Sequence, residues 1–105
     1  MIGEPAGPIK KLQDWIISEC NGDWEHSFGV TIESSDNPGW IIKIDLEETK
    51  LADRGPIEKR WAQSKDNWQN ISITHSAFEA SCSLTKLEDT IDEFIYFSNN
   101  FTLRA

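Results

Sequence analysis

Cys20, Asp23 and His26 stand close together in the string Cys20-Asn21-Gly22-Asp23-Trp24-Glu25-His26. A thiol, an orienting acid and an imidazole are the parts of a nucleophilic site. Attack requires a thiolate, however, and Cys20 recurs at 3- and 4-residue spacing with Ile9, Leu12 and Ile16. That spacing makes it a small hydrophobe on a helix stripe, not an activated nucleophile. Cys82 and His75 complete the Cys and His inventory, and the four form neither C-x-x-C nor H-x-x-x-H. A metal site is not expected from such a set. There is no phosphate-binding glycine loop, dinucleotide fingerprint or nucleophile elbow. Carboxylate pairs carry little information among 18 acids in 105 residues. The sequence therefore assigns no catalytic residue, no metal and no cofactor, and reads as a non-enzyme.

Charge narrows the partners. Eighteen acids against ten bases give a formal net charge of -8. A nucleic-acid binder carries a basic footprint, so nucleic acid is not the expected partner. An anionic membrane surface is excluded on the same ground. The acidity is also local. Residues 23–48 hold Asp23, Glu25, Glu33, Asp36, Asp45, Glu47 and Glu48 against the single base Lys43, whereas residues 49–76 carry a basic excess. Surplus acid also serves solubility.

These side chains must be positioned by some frame. Residues 1–7 read as a loose arm, and Pro8 suits a first helical position. Ile9, Leu12, Ile16 and Cys20, with Trp15 beside them, mark a helix face that ends at Asn21-Gly22. Phe28, Val30 and Ile32 alternate with polar residues, as do Trp40, Ile42, Ile44 and Leu46. Both segments predict half-buried strands, joined across the turn-forming cluster Ser34 to Gly39. Residues 47–56 read as a polar connector. Ile57–Gln63 and Trp68–His75 predict a second strand pair, and 77–83 reads as irregular. A capping box at Thr85 and Glu88 opens a last helix whose stripe is Leu84, Leu87, Ile91, Phe94, Ile95 and Phe101. The expected fold is a single α+β domain over 1–105. An antiparallel sheet of about four strands carries N- and C-terminal helices packed on it, in the order α-β-β-β-β-α.

Two motifs lie on that frame. The string from Cys20 to His26 leads into the first strand, and Asn37-Pro38-Gly39-Trp40 then precedes Ile44-Asp45-Leu46. The pairing resembles the immunity protein 53 family of bacterial polymorphic toxin systems. In that family a helix with Trp or Tyr leads into C-x-G-D-W-E-H, followed by an L-D-N-P-G-W loop and an I-D-L strand. Ser35 stands where the family usually has Leu, and Asn21 where it often has Asp. The resemblance is clear over residues 12–46 and fits in outline over 47–105. There Glu79-Ala80-Ser81-Cys82-Ser83 replaces a Gly-rich approach to the last helix. The resemblance implies a non-enzymatic protein that binds a cognate toxin domain, a nuclease or other cell-killing enzyme, and blocks it in the producing cell or its kin.

The expected partner-binding residues are Asp23, Trp24, Glu25, His26, Asp36, Asn37 and Asp45. Each has a structural reading beside the functional one. Trp24 is either an interface anchor or a plug between the first helix and first strand. Asp23 is a contact or a turn cap, and Glu25 and His26 are contacts or a hydrogen-bonded pair. Asp36 to Gly39 is a binding tip or simple turn chemistry, and Trp40 reads as core. The competing function is a small enzyme or small-molecule-binding domain with a cleft rimmed by Asp23–His26 and Asp36–Trp40. A deep pocket with converging polar groups is its mark. With no signal-peptide pattern at residues 1–8, a cytoplasmic location with two free thiols is expected.

Overall fold

The computed structural model describes residues 6–104. Chain order is α1 (Pro8–Glu19), a one-turn helix α2 (Trp24–Ser27), β1 (Val30–Ser35), β2 (Gly39–Asp45), β3 (Ile57–Ser64), β4 (Asn67–Ile73), β5 (Ala77–Cys82), a 3-10 turn (Leu84–Lys86) and α3 (Leu87–Asn100). The sheet is antiparallel throughout and has five strands, in the order β1-β2-β5-β4-β3.

The fifth strand corrects the expected count of four. It occupies the segment read as irregular, and it is the centre of the sheet. The two hairpins are not neighbours; β5 lies between them, pairing Ile42 with Ala80 on one side and Ile71 with Ala80 on the other. The α+β class and the terminal helices are as expected. The last helix begins later than the capping box implied. Residues 84–86 form a 3-10 turn, α3 starts at Leu87, and no side chain caps it. Ser83 is instead held by β4: it accepts the Trp68 N–H on Oγ at 3.1 Å, and its own N–H donates to the Trp68 carbonyl at 3.1 Å.

Strand alternation puts Ile42, Ile44, Ile71, Ile73, Phe78 and Ala80 on the face covered by the helices. From α1 come Leu12 and Trp15, and from α3 come Ile91, Phe94 and Phe97, all buried. Rings stack edge-to-face through this layer. Trp24 meets Trp15 at 5.8 Å, Trp15 meets Phe94 at 4.9 Å, and Phe94 meets Phe78 at 5.3 Å. Such contacts add to the apolar burial that dominates a small core. The spine runs from the acidic segment to the central strand, so the position of Trp24 is set by the whole core.

The connector 46–56 is ordered against the β4–β5 turn. Leu46 N–H donates to Ser76 O at 2.8 Å and Asp53 N–H to His75 O at 3.0 Å, while Leu46 and Leu51 are fully buried. The apolar stripe of α1 is narrower than its spacing suggested: Ile9 and Cys20 are exposed. Both described cysteines are free thiols, Cys20 exposed and Cys82 buried. No helix among the described residues is long and apolar enough to cross a membrane. Residues 1–5 of the expected arm lie outside the described residues.

Candidate partner-binding surface

The string after α1 folds into a reciprocal cap. Gly22 takes a positive φ of 96°, which turns the chain out of α1. Asn21 Oδ1 accepts the N–H of Asp23 and of Trp24, both at 2.9 Å. The Glu25 carboxylate reaches back to the N–H of Asn21 at 3.0 Å and of Gly22 at 2.9 Å. This is the logic of a capping box, with Asn21 in the forward role and Glu25 in the return role. The cap is therefore Asn21, not Asp23. Among the described residues the Asp23 carboxylate makes no hydrogen bond, and Asp23 and His26 are exposed. The Glu25 carboxyl is held below the usual carboxylate range, first by its own backbone N–H and then by those of Asn21 and Gly22. A Glu25–His26 hydrogen bond does not form; Glu25 faces the backbone instead.

Trp24 is 2% exposed. Its indole N–H donates to the Glu47 carbonyl at 3.0 Å. The structural reading of Trp24 is the one realised: it plugs the core. The bond also ties the acidic residues at the end of β2 to α2. Asp45 joins them, its Oδ2 accepting the Gly29 N–H at 2.9 Å. Asp23, Glu47 and Glu48 are thus exposed around one buried indole. Glu47 and Glu48 were not among the residues expected at the site. Their signal in the sequence was membership of the acidic run 23–48, and the indole bond that recruits them spans 23 positions.

Asp36 and Asn37 sit at the other end of the hairpin, exposed in the β1–β2 turn, with Ser35 Oγ donating to Asn37 Oδ1 at 2.8 Å. Gly39 follows because the chain passes close to β5: a Cβ there would lie 2.5 Å from the Cys82 carbonyl oxygen. Trp40 is half-buried on the helix side, and its indole N–H donates to Leu84 O at 3.0 Å. The strand β2 runs from this tip at Gly39 to Asp45, a span of about 20 Å at the strand rise of roughly 3.3 Å per residue. The structure brings Asp23, Glu25, His26 and Asp45 to one end of the β1–β2 hairpin and Asp36 and Asn37 to the other.

That separation bears on the cleft expected for a small enzyme. The two segments do not rim a common hollow. Depressions lie elsewhere. One of about 440 Å³ lies on the open face of the sheet around Ile41, Lys43 and Asn70, and another of about 620 Å³ lies beside Trp61 and Lys59. Neither is lined by residues 23–26 or 36–40. Among the described residues no group of three or more His, Cys, Asp or Glu is arranged to hold a metal ion.

The family model for immunity protein 53 matches residues 9–99. The chain belongs to the immunity protein 53 family. The match runs from the first turn of α1 to the last turn of α3 and so includes β5 and the α3 approach, where the resemblance was only in outline. Neither a curated protein nor a solved structure matches the chain. As an immunity protein 53 member, it is an immunity protein by family, and a toxin protein is the partner that the family implies.

Proposed function

We propose that this immunity protein binds and neutralises one cognate bacterial toxin domain, a nuclease or a similar enzyme, through the acidic ends of the β1–β2 hairpin. Family membership over residues 9–99 is the observation that carries this reading. The charge distribution supports the choice of surface. A toxin active site built for phosphates is basic, and negative charge on the inhibitor steers encounter. The acids Asp23, Glu25, Asp45, Glu47 and Glu48 lie near one end of the hairpin, and Asp36 at the other. A partner covering the usual interface, about 800 Å² per side, reaches both ends at once. Asn37 and His26 extend the polar contacts at each end. Trp24 acts from inside by fixing the segment that carries these groups.

The test is co-expression with the toxin domain encoded beside this chain, scored by growth and co-purification, followed by association kinetics. Asp23→Lys and Asp36→Lys are expected to slow association and flatten its dependence on salt. Association rates equal to wild type at low salt would remove the steering argument. Loss of rescue by the wild-type chain against a verified active toxin would remove the immunity reading itself.

A further inference from the structure

The two edges of the sheet are unlike. The outer strand β3 carries Glu58, Lys59 and Arg60 in succession and has a register irregularity between Ala62 and Ser64. Charges and bulges of this kind are how sheets prevent edge pairing. The other outer strand, β1, reads Val30-Thr31-Ile32-Glu33-Ser34-Ser35, with one charge and regular pairing to β2.

Hydrogen-bond parity shows which groups β1 leaves open. Asp45 N–H donates to Gly29 O at 3.0 Å, while Gly29 N–H goes to the Asp45 carboxylate, and this single main-chain bond sets Gly29 and Asp45 in the hydrogen-bonding phase of the ladder. Thr31–Lys43 and Glu33–Ile41 follow in the same phase of the register. The N–H and C=O of Val30, Ile32 and Ser34 therefore point away from the sheet. Among the described residues no backbone or side-chain group hydrogen-bonds to them.

Beside this open edge runs an apolar groove of about 410 Å³ between Ile9, Leu12, Ile16 and Ile17 of α1 and Val30 and Ile32 of β1. Ile9 is 51% exposed and Ile17 60%. A sheet edge with unpaired main-chain groups next to an apolar groove is the geometry of strand addition, where backbone bonds give affinity and alternate side chains fill pockets.

Charge selects the occupant. On the side away from the groove, β1 presents Glu33, and the edge runs from the Asp45 end to Asp36. A second copy pairing antiparallel at this edge would set its Asp36 turn against the Asp45 end of the first, acid on acid, with -8 on each chain. We infer that β1 receives an extended strand of the toxin domain, with apolar residues at alternate positions in the α1–β1 groove and Lys or Arg on its other face opposite Glu33. This rests on the toxin-binding reading above and specifies how that binding is made.

The experiment uses the full chain and the catalytically inactivated toxin domain encoded beside it. Amide hydrogen exchange is measured on the wild-type protein, free and bound. The amides of Val30, Ile32 and Ser34 should exchange fast in the free protein and slow in the complex, while those of Thr31 and Glu33 are slow in both. Ser34→Pro removes an outward N–H that the fold does not use, and Ile17→Glu places a charge in the groove from an exposed position. Each should weaken toxin binding about tenfold or more, as loss of a main-chain bond or an apolar contact in a buried interface does. Glu58→Lys on the far edge should leave it unchanged. Wild-type binding with these amides still fast, or with both variants as tight as wild type, overturns strand addition and leaves the immunity reading standing. Slow exchange at these amides in the free protein also overturns it, because the edge is then already occupied by its own chain or a second copy. Absence of wild-type binding sinks both readings.

Discussion

Trp24→Phe keeps an aromatic ring between α1 and β1 and removes one donor. The lost bond is the 3.0 Å contact from the indole N–H to the Glu47 carbonyl. A net intramolecular hydrogen bond contributes about 1 kcal/mol. The smaller ring also buries roughly 40 Å² less apolar surface, worth about 1 kcal/mol. Together these give a loss of about 2 kcal/mol, or a fall in Tm of roughly 8–16 °C for a domain of this size. Trp24→Ala should cost about 3–5 kcal/mol, because it also opens a cavity against Trp15 and Phe28. The assay is urea denaturation followed by binding to the inactivated toxin domain, measured well below the Tm of the variant. An inward-facing anchor predicts lower stability with affinity held within about twofold, since truncation at a contact residue would cost more. The reasoning is refuted if Trp24→Phe melts like wild type, or if it loses affinity while keeping its stability.

Other outcomes follow from single contacts. Gly39→Ala should destabilise by about 1–3 kcal/mol in urea, because its Cβ would meet the Cys82 carbonyl oxygen at 2.5 Å between two strands. Asp36→Ala, three residues away and exposed, should melt within about 0.5 kcal/mol of wild type. For Glu25 the folded-state carboxyl titrates below its ordinary value of 4.5. Its return cap is therefore fully in place above that pH and is lost as pH falls through the lower folded value. An NMR titration should find the Asn21 and Gly22 amide shifts moving with the same midpoint as Glu25, and Glu25→Gln should abolish that movement. Burial pushes the Cys82 thiol up, whereas Cys20 is exposed. Iodoacetamide should add once to the native protein, at Cys20, and twice in denaturant by mass spectrometry.

The two terminal helices, both hairpins and the turn at Asp36–Gly39 were legible because each is written in local spacing, whereas the single turn of α2 was not expected. The fifth strand was not. Ala77-Phe78-Glu79-Ala80-Ser81-Cys82 holds no β-branched residue, and small side chains carry little strand propensity. They belong there because β5 is flanked on both sides and α3 lies over it, with Phe94 on Phe78. Small residues suit a central strand under a helix, and that requirement is tertiary. The α1 stripe was misjudged for a related reason. Periodicity puts Ile9 and Cys20 on the stripe but does not say how far the neighbouring layer extends, and here it covers Leu12 and Trp15, with Ile16 partly buried against them. At the candidate site the segment and its charge were readable. The assignment of its members was not: which acid caps, which aromatic turns inward and which ends of the hairpin lie apart all depend on bonds such as Trp24 to Glu47.

The strand that joins the two hairpins is the last one made. During synthesis β1–β2 and β3–β4 can each close locally as they leave the ribosome, but neither has its neighbour until residues 77–82 arrive between them. Phe94, which meets both Trp15 and Phe78, comes later still. A nascent chain therefore holds two separate ribbons with their inner edges bare, and a chain cut short before α3 lacks much of the layer on which the acidic segment rests. Support for the acidic segment would then be in place only once α3 has been made. A ribosome stalled past β4 would release two hairpins with nothing to join them.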